Sequence, residues 1–335
     1  MKFDFEKAVR TLGFNEERLV ETSNTLLEAY DNETNIFSQE KETCESILPE
    51  GVERGSREYA SFLFFMTIPN FFIDGDVLFE RGRRLYEKRP EVFDPSWIYE
   101  ADKGKLKIEE VGRGKVVVAP TISKIIKEDL GHGFYKSISG RWYQSARKLH
   151  EIYDDDVRKP LKYVEDYEVA LRRLDVGKTR DDLKRIVRGT NPLRFKGFGR
   201  YKTAPLFMMF FKKHGFLESM DEYEIELPFD THAFNFFIGR GITNLDERIR
   251  KEIFARYAQK LSKKTLKENG IKPTKLQPAQ WLLGSRNCIK NDCYNLRTED
   301  GKQRLCPFSE PCKQYFDSQH YKSTGFIIKG LNNFY

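Results

Sequence analysis

Long apolar runs are missing from this chain. The densest, residues 62–66 and 207–211, fall far short of the ~20 residues of a membrane-spanning helix and read as core helix instead. Internal repeats and low-complexity tracts are missing too, so repeat architectures are excluded. His132, His150, His214 and His320 are scattered and form neither a metal nor a triad pattern. An excess of one charge is scarce: the net charge is +7 over 335 residues, which suits a polyanionic partner but says little alone. No secretory leader is read before the charged segment that follows Met1, so the expectation is a chain that is not secreted and keeps its thiols reduced.

What is present is a folded composition. One third of the residues are charged and 14% are aromatic, with 27 Phe and 16 Tyr; a disordered chain would lack those aromatics. The length allows one large or two ordinary domains. Apolar spacing of three and four residues predicts helices over residues 5–12, 16–30, 57–65, 77–88, 139–153, 164–174, 181–187, 203–213, 231–238, 244–263 and 279–283. Residues 105–108 and 115–118, around Gly112-Arg113-Gly114, predict a β hairpin. The fold class is therefore mainly all-α. The organisation expected is a helical N-terminal region with the hairpin (1–135), a helical domain (136–285) and a terminal loop (286–335), with a soft boundary near residues 131–140.

Four of the five cysteines gather in that loop. Cys288, Cys293, Cys306 and Cys312 are spaced C-x4-C-x12-C-x5-C. Four thiols so close together suit one tetrathiolate site, either zinc or an iron–sulfur cluster; two disulfides are the alternative. Arg286, Lys290, Arg297, Lys302 and Arg304 interleave with them and predict a basic, phosphate-facing surface. Cys44 has no partner in sequence.

Two further segments carry chemistry. In Arg194-Phe-Lys-Gly-Phe-Gly-Arg-Tyr-Lys-Thr-Ala204, Gly197 and Gly199 flank Phe198 between two predicted helices. Two glycines allow positive φ while Phe198 anchors the turn in the core. Amides at the next helix start, with Lys196, Arg200 and Lys202 around them, then predict an anion site suited to a phosphate. Further on, Glu226-Leu-Pro-Phe-Asp-Thr-His232 places Asp230 just after Pro228 at a helix start. A helix N-cap is the ordinary role of such an aspartate, and a cap also aims the carboxylate.

Taken together, these segments resemble the helix-hairpin-helix DNA glycosylases of the endonuclease III superfamily. The order is shared over residues 142–316: a helix, a Gly-x-Gly hairpin (Phe195 to Gly199), a residue at the head of the next helix, Pro-x-Asp-Thr-His (Pro228 to His232), then Trp281-Leu-Leu-Gly-Ser285 leading into four cysteines. The resemblance implies a helix-hairpin-helix fold with a small N-terminal β hairpin and a C-terminal metal-thiolate loop. It also implies that Lys196, Gly197, Phe198, Gly199 and Arg200 hold a phosphate of double-stranded DNA. The four cysteines would ligate a [4Fe–4S] cluster, and Asp230 would assist cleavage of a base–sugar bond. The cysteine spacing departs from the family's C-x6-C-x2-C-x5-C, so zinc stays open. The family's lysine falls two residues after the second glycine, where this chain has Tyr201. Lys202 comes one later, and the run Lys202-Thr-Ala-Pro-Leu-Phe looks similar to the archaeal 8-oxoguanine glycosylase branch, which uses a lysine.

The chemistry expected is excision of a damaged or mismatched base from duplex DNA. As the C1′–N bond loosens, Asp230 stabilises the oxocarbenium-like sugar. If Lys202 is the nucleophile, its unprotonated amine attacks C1′, forms a Schiff base and gives AP-lyase activity. Phe207, Met208 and Phe211 would supply an apolar setting. If Tyr201 holds that slot, water attacks and the enzyme is monofunctional. Trp142 and Tyr143 could stack on an extruded base or line the groove, although core packing is the commoner role of such a pair. Two other classes stay open, a non-catalytic DNA-binding protein with a structural zinc and an RNA- or nucleoside-directed glycosidase. A monomer in the cytoplasm (on the nucleoid) or in the nucleus, not at a membrane, is expected.

Overall fold

A computed structural model describes residues 3–38, 48–70, 74–112, 114–176, 183–244, 249–287, 306–308 and 326–327. The protein is mainly helical. The α-helices are α1 (Phe5–Leu12), α2 (Glu16–Asp31), α3 (Arg57–Thr67), α4 (Gly75–Lys88), α5 (Pro95–Asp102), α6 (Pro120–Ile125), α7 (Tyr135–Tyr153), α8 (Tyr167–Arg173), α9 (Leu183–Val187), α10 (Thr203–Lys213), α11 (Thr231–Gly239), α12 (Lys251–Glu268) and α13 (Pro273–Leu282). Strands β1 (Lys107–Val111) and β2 (Gly114–Val118) form an antiparallel pair, and the two-residue β3 (Ile249–Arg250) pairs with β4 (Phe326–Ile327). No helix among the described residues is long and apolar enough to cross a membrane.

The chain divides into two compact units, one of Met1–Glu42 with Glu222–Tyr335 and one of Thr43–Asp221. Residues 131–140, expected to carry a boundary, lie inside the second unit. The reason is close packing: a Cβ on Gly140 would collide with the Val117 carbonyl, so α7 and β2 meet backbone to backbone.

In the Thr43–Asp221 unit, α7 is the centre, contacted by α5, α6 and β2, while α3 packs on α4 and α10. Helix α3 is buried from Tyr59 to Thr67, as a helix apolar all round must be. Its Phe64 ring lies 5.1–5.6 Å from the rings of Phe65, Phe195, Phe198 and Phe207. In the other unit, α12 packs on α1 and α2, and α13 packs on α2 and α11. Side-chain caps begin many of the helices: Asp4, Asn15, Ser56, Asp74, Asp94, Asp166 and Asp230 each accept a first-turn amide, worth about 1 kcal/mol apiece.

The predicted helices 5–12 and 203–213 coincide with α1 and α10. Helix α5 was not predicted from periodicity, although Asp94-Pro95 is a cap followed by proline at the first helical position. The expected helix over 244–263 begins only at Lys251, because Ile249 and Arg250 are extended and pair with β4; residues 245–248 lie outside the described ones.

Candidate functional site

The glycine turn belongs to the Thr43–Asp221 unit and is held from below. Ser145 Oγ on α7 accepts the Lys196 amide at 3.0 Å and donates to the Lys196 carbonyl at 3.3 Å. One residue earlier, the Phe195 amide donates to Asp175 Oδ2 at 2.9 Å. Lys148 pairs with the same carboxylate oxygen at 2.5 Å and sits 4.2 Å from the Phe195 ring centroid. Gly197 has φ +101°, and a Cβ there would lie 2.6 Å from Ile68 Cγ2, so only glycine fits. Phe198 is buried between Phe64 and Phe207, with ring centroids 5.2 and 5.0 Å away. The anchor expected of Phe198 is thus present. Gly199 differs from expectation: its φ is not positive, and the sharp bend is made by Gly197 alone.

At the helix start expected to bind an anion, the Thr203 amide donates no hydrogen bond among the described residues. At the head of α10, the Ala204 amide already donates to the Gly199 carbonyl at 2.9 Å and Pro205 has no N–H. The amides of Gly197, Phe198 and Gly199 also donate no hydrogen bond among the described residues. Three successive amides without an acceptor in a bend are the kind of donors that an anion-binding concavity uses. Of the cations expected around it, Lys196 is half-buried beside the turn. Arg200 pairs with Glu168 Oε1 of α8 at 2.8 Å, with both side chains a third or more exposed. Such a pair contributes ~0–1 kcal/mol and exchanges readily for a phosphate. Lys202 is half-buried, and its Nζ reaches Asn70 Oδ1 at 3.5 Å. Tyr201, next to it, is also half-buried. Phe207, Met208 and Phe211 on the helix that follows are fully buried.

Asp230 belongs to the other unit. Phe229 is fixed in its core by Phe234, Phe237 and Phe254, and Gln259 donates to the Leu227 carbonyl at 2.6 Å. These contacts set the entry into α11. Asp230 is the N-cap: its Oδ1 accepts the amides of His232 and Ala233, each at 3.0 Å. Its Oδ2 accepts no hydrogen bond among the described residues. The half-buried carboxylate is therefore aimed by one oxygen and open at the other. Lys251, at the start of α12, was not singled out in the sequence. Burial pulls its ammonium below the ordinary lysine value, while Glu252 and Asp230 act the other way. His232 packs its Cβ against Gly284, where an added methyl would lie 2.6 Å away.

Of the four clustered cysteines, Cys288, Cys293 and Cys312 lie outside the described residues, as do Cys44, His320, the side chain of Arg286 and residues Lys290, Arg297, Lys302 and Arg304. Cys306 is partly exposed. Two residues on, the buried Phe308 ring lies 3.9 Å under the Arg240 guanidinium, at the C-terminal end of α11. Arg240 in turn accepts a hydrogen bond at its carbonyl from Arg18 Nε at 3.0 Å. The segment that carries Cys306 is thus tied to the helix that Asp230 caps.

Trp142 and Tyr143 face the interior, in keeping with core packing rather than base stacking. Trp142 is fully buried, its ring 5.3 Å from Phe65 and 5.7 Å from Phe93. Tyr143 is 5% exposed and 5.8 Å from the Tyr99 ring. An extruded base could not reach Trp142 without opening the core. On a helix, Gly140, Arg141 and Gln144 point to the opposite side of α7. No family model matches this chain, and no curated protein or solved structure matches it either.

Proposed function

We propose that this protein is a DNA glycosylase of helix-hairpin-helix type that removes a damaged or mismatched base from duplex DNA. The observation that carries the reading is the Asp230 carboxylate, fixed through Oδ1 by two helix amides with Oδ2 open. A rigid anion with one unsolicited oxygen suits a reaction in which positive charge develops on a sugar. Groups of this kind contribute about 10²–10³ in rate where the charge forms. The unused amides of Gly197, Phe198 and Gly199 support the same reading, because they suit a phosphate oxygen, fixing the protein on the backbone without reading sequence.

In this account the duplex is held at the turn by backbone amides, Lys196 and an Arg200 that exchanges Glu168 for phosphate. Extruding the target nucleotide costs a few kcal/mol. Asp230 then stabilises C1′ as the base departs with the bonding electrons. Lys202 is proposed separately as the source of AP-lyase activity: at an abasic site its amine adds to the ring-opened C1′ aldehyde, water leaves, and the Schiff base formed permits β-elimination. Borohydride trapping on DNA with an abasic site checks the assignment. A covalent adduct with the wild type and none with Lys202→Gln supports it, whereas no adduct with the wild type moves attack to a water beside Tyr201.

Cys288, Cys293, Cys306 and Cys312 are the donors that a [4Fe–4S] cluster or a zinc ion would take, and four thiolates fit either group. Bound there, it would brace the terminal segment against α11 and supply no step of excision. The overall reading is tested on a panel of duplexes, each with a single lesion or mismatch, assayed for abasic product. Product from at least one duplex supports it, and none from any would overturn it.

A further inference from the structure

Within the Thr43–Asp221 unit, a cavity of ≈ 670 Å³ opens between β2, α7, α9 and the glycine turn. Its volume falls inside the ~300–1,000 Å³ typical of ligand pockets. Its lining is chemically uneven. It includes Lys196, the turn glycines Gly197 and Gly199, and Lys115 of β2, which also lies 3.7 Å from Glu110. The lining thus combines two cations with amides that have no acceptor among the described residues, the requirement of an anion. Phe134, exposed at 41%, presents a ring at the rim. Arg141 is half-buried on the wall, where burial lowers its guanidinium from the ordinary value and leaves it a cation.

Gln144, only 9% exposed, also lines the cavity. Its Nε2 donates to the Gly140 carbonyl at 3.0 Å. A carbonyl can only accept, so this bond fixes which way round the amide lies. Its Oε1 is buried without a hydrogen-bond partner. A buried acceptor left empty costs about 1–3 kcal/mol, and groups of this kind in folded proteins call for a reason. A ligand N–H would satisfy it.

Donors for an anion, an exposed aromatic ring and a buried acceptor in one lining describe a ligand with a phosphate, a flat ring and a ring N–H. The geometry points to a binding site for one nucleotide, with its phosphate at the Gly197–Gly199 amides and Lys196, its base against Phe134, and a base N–H donated to Gln144 Oε1. This site shares the turn amides and Lys196 with the proposed duplex contact but requires nothing of Asp230 or Lys202, so its test is separate from that of base excision. The nucleotide could be free or belong to an unstacked strand, since the chemistry is shared.

Calorimetric titration of the full chain with thymidine 5′-monophosphate, N3-methylthymidine 5′-monophosphate, thymidine and inorganic phosphate tests it. The expected result is that the monophosphate binds at least tenfold more tightly than its N3-methyl analogue, which has no base N–H, and more tightly than thymidine or phosphate alone. In Gln144→Met the tenfold preference should vanish. Lys115→Gln, on an exposed strand, should weaken the monophosphate and leave thymidine unchanged; it keeps the test decisive if Gln144→Met fails to fold. Competition by an octathymidylate strand assigns the site to a strand nucleotide, and its absence with tight monophosphate binding assigns it to a free one. Equal affinity for the monophosphate and its N3-methyl analogue, binding of phosphate as tight as that of the monophosphate, or no heat at all would overturn the proposal.

Discussion

Ser145 Oγ grips Lys196 at both ends of its backbone, accepting the amide at 3.0 Å and donating to the carbonyl at 3.3 Å. One hydroxyl thereby makes the glycine turn an extension of α7. Ser145→Ala removes both bonds, which together contribute about 1–3 kcal/mol. Thermal melting should show a lower Tm, and DNA binding should weaken because the turn loses its register. An unchanged Tm would mean that Phe195 and Phe198 alone hold the turn.

Gly197→Ala should be the most damaging single methyl in this region. The residue sits at φ +101° with Ile68 Cγ2 2.6 Å from the site of the new Cβ. Left-handed strain alone costs of order 1–3 kcal/mol, and the clash adds to it. Gly199→Ala meets only Thr203 Oγ1 at 3.8 Å and has no positive φ, so it should be close to neutral in Tm. Equal losses from the two would contradict the division of labour within the turn.

In the proposed account Arg200 is a cation that exchanges Glu168 for a DNA phosphate. Arg200→Gln should lower affinity similarly for all duplex sequences, since phosphate contacts carry no sequence information. The slope of log K against log salt should become shallower by about 0.9. An unchanged slope would place Arg200 off the DNA.

The Asp230 unit carries its own acid response. Lys263 and Lys267 hold the Glu224 carboxyl down to about 2 from 4.5, through hydrogen bonds at 2.5 and 2.6 Å. A depressed pKa means that the unfolded chain takes up a proton first as pH falls, so this stabilisation is full above pH 4.5 and is lost on descending to about 2. Glu224→Gln should therefore be less stable than wild type at neutral pH and should converge on it near pH 2. Urea melts at several pH values read this directly, and a constant difference across that window would exclude the pairing.

Much of the helical layout was legible in the sequence, because apolar spacing reports the buried face of a helix directly. Phe198 as an anchor and Asp230 as a cap were legible from their neighbours, Gly197 and Pro228 with Thr231. Other features were not. The bend assigned to two glycines is made by one, since φ depends on how Ile68 packs against the turn. Trp142 and Tyr143 drew attention as aromatics, yet they fill the core. Arg141 and Gln144, on the other side of the same helix, line a cavity that exists only once β2 and the turn are in place. The Arg200–Glu168 pair joins residues 32 apart in sequence, and no local pattern announces it. Helix α5 is marked by Asp94-Pro95 rather than by periodicity.

Asp230→Asn is the most direct test of the excision reading. The substitution keeps an oxygen able to cap α11, so the fold and the turn should be undisturbed. On the duplex that the wild type processes, single-turnover excision should fall by about 10²–10³, with affinity for the same duplex changed by less than threefold. Excision at the wild-type rate by Asp230→Asn would show that this carboxylate only caps a helix, and the glycosylase assignment would fall with it.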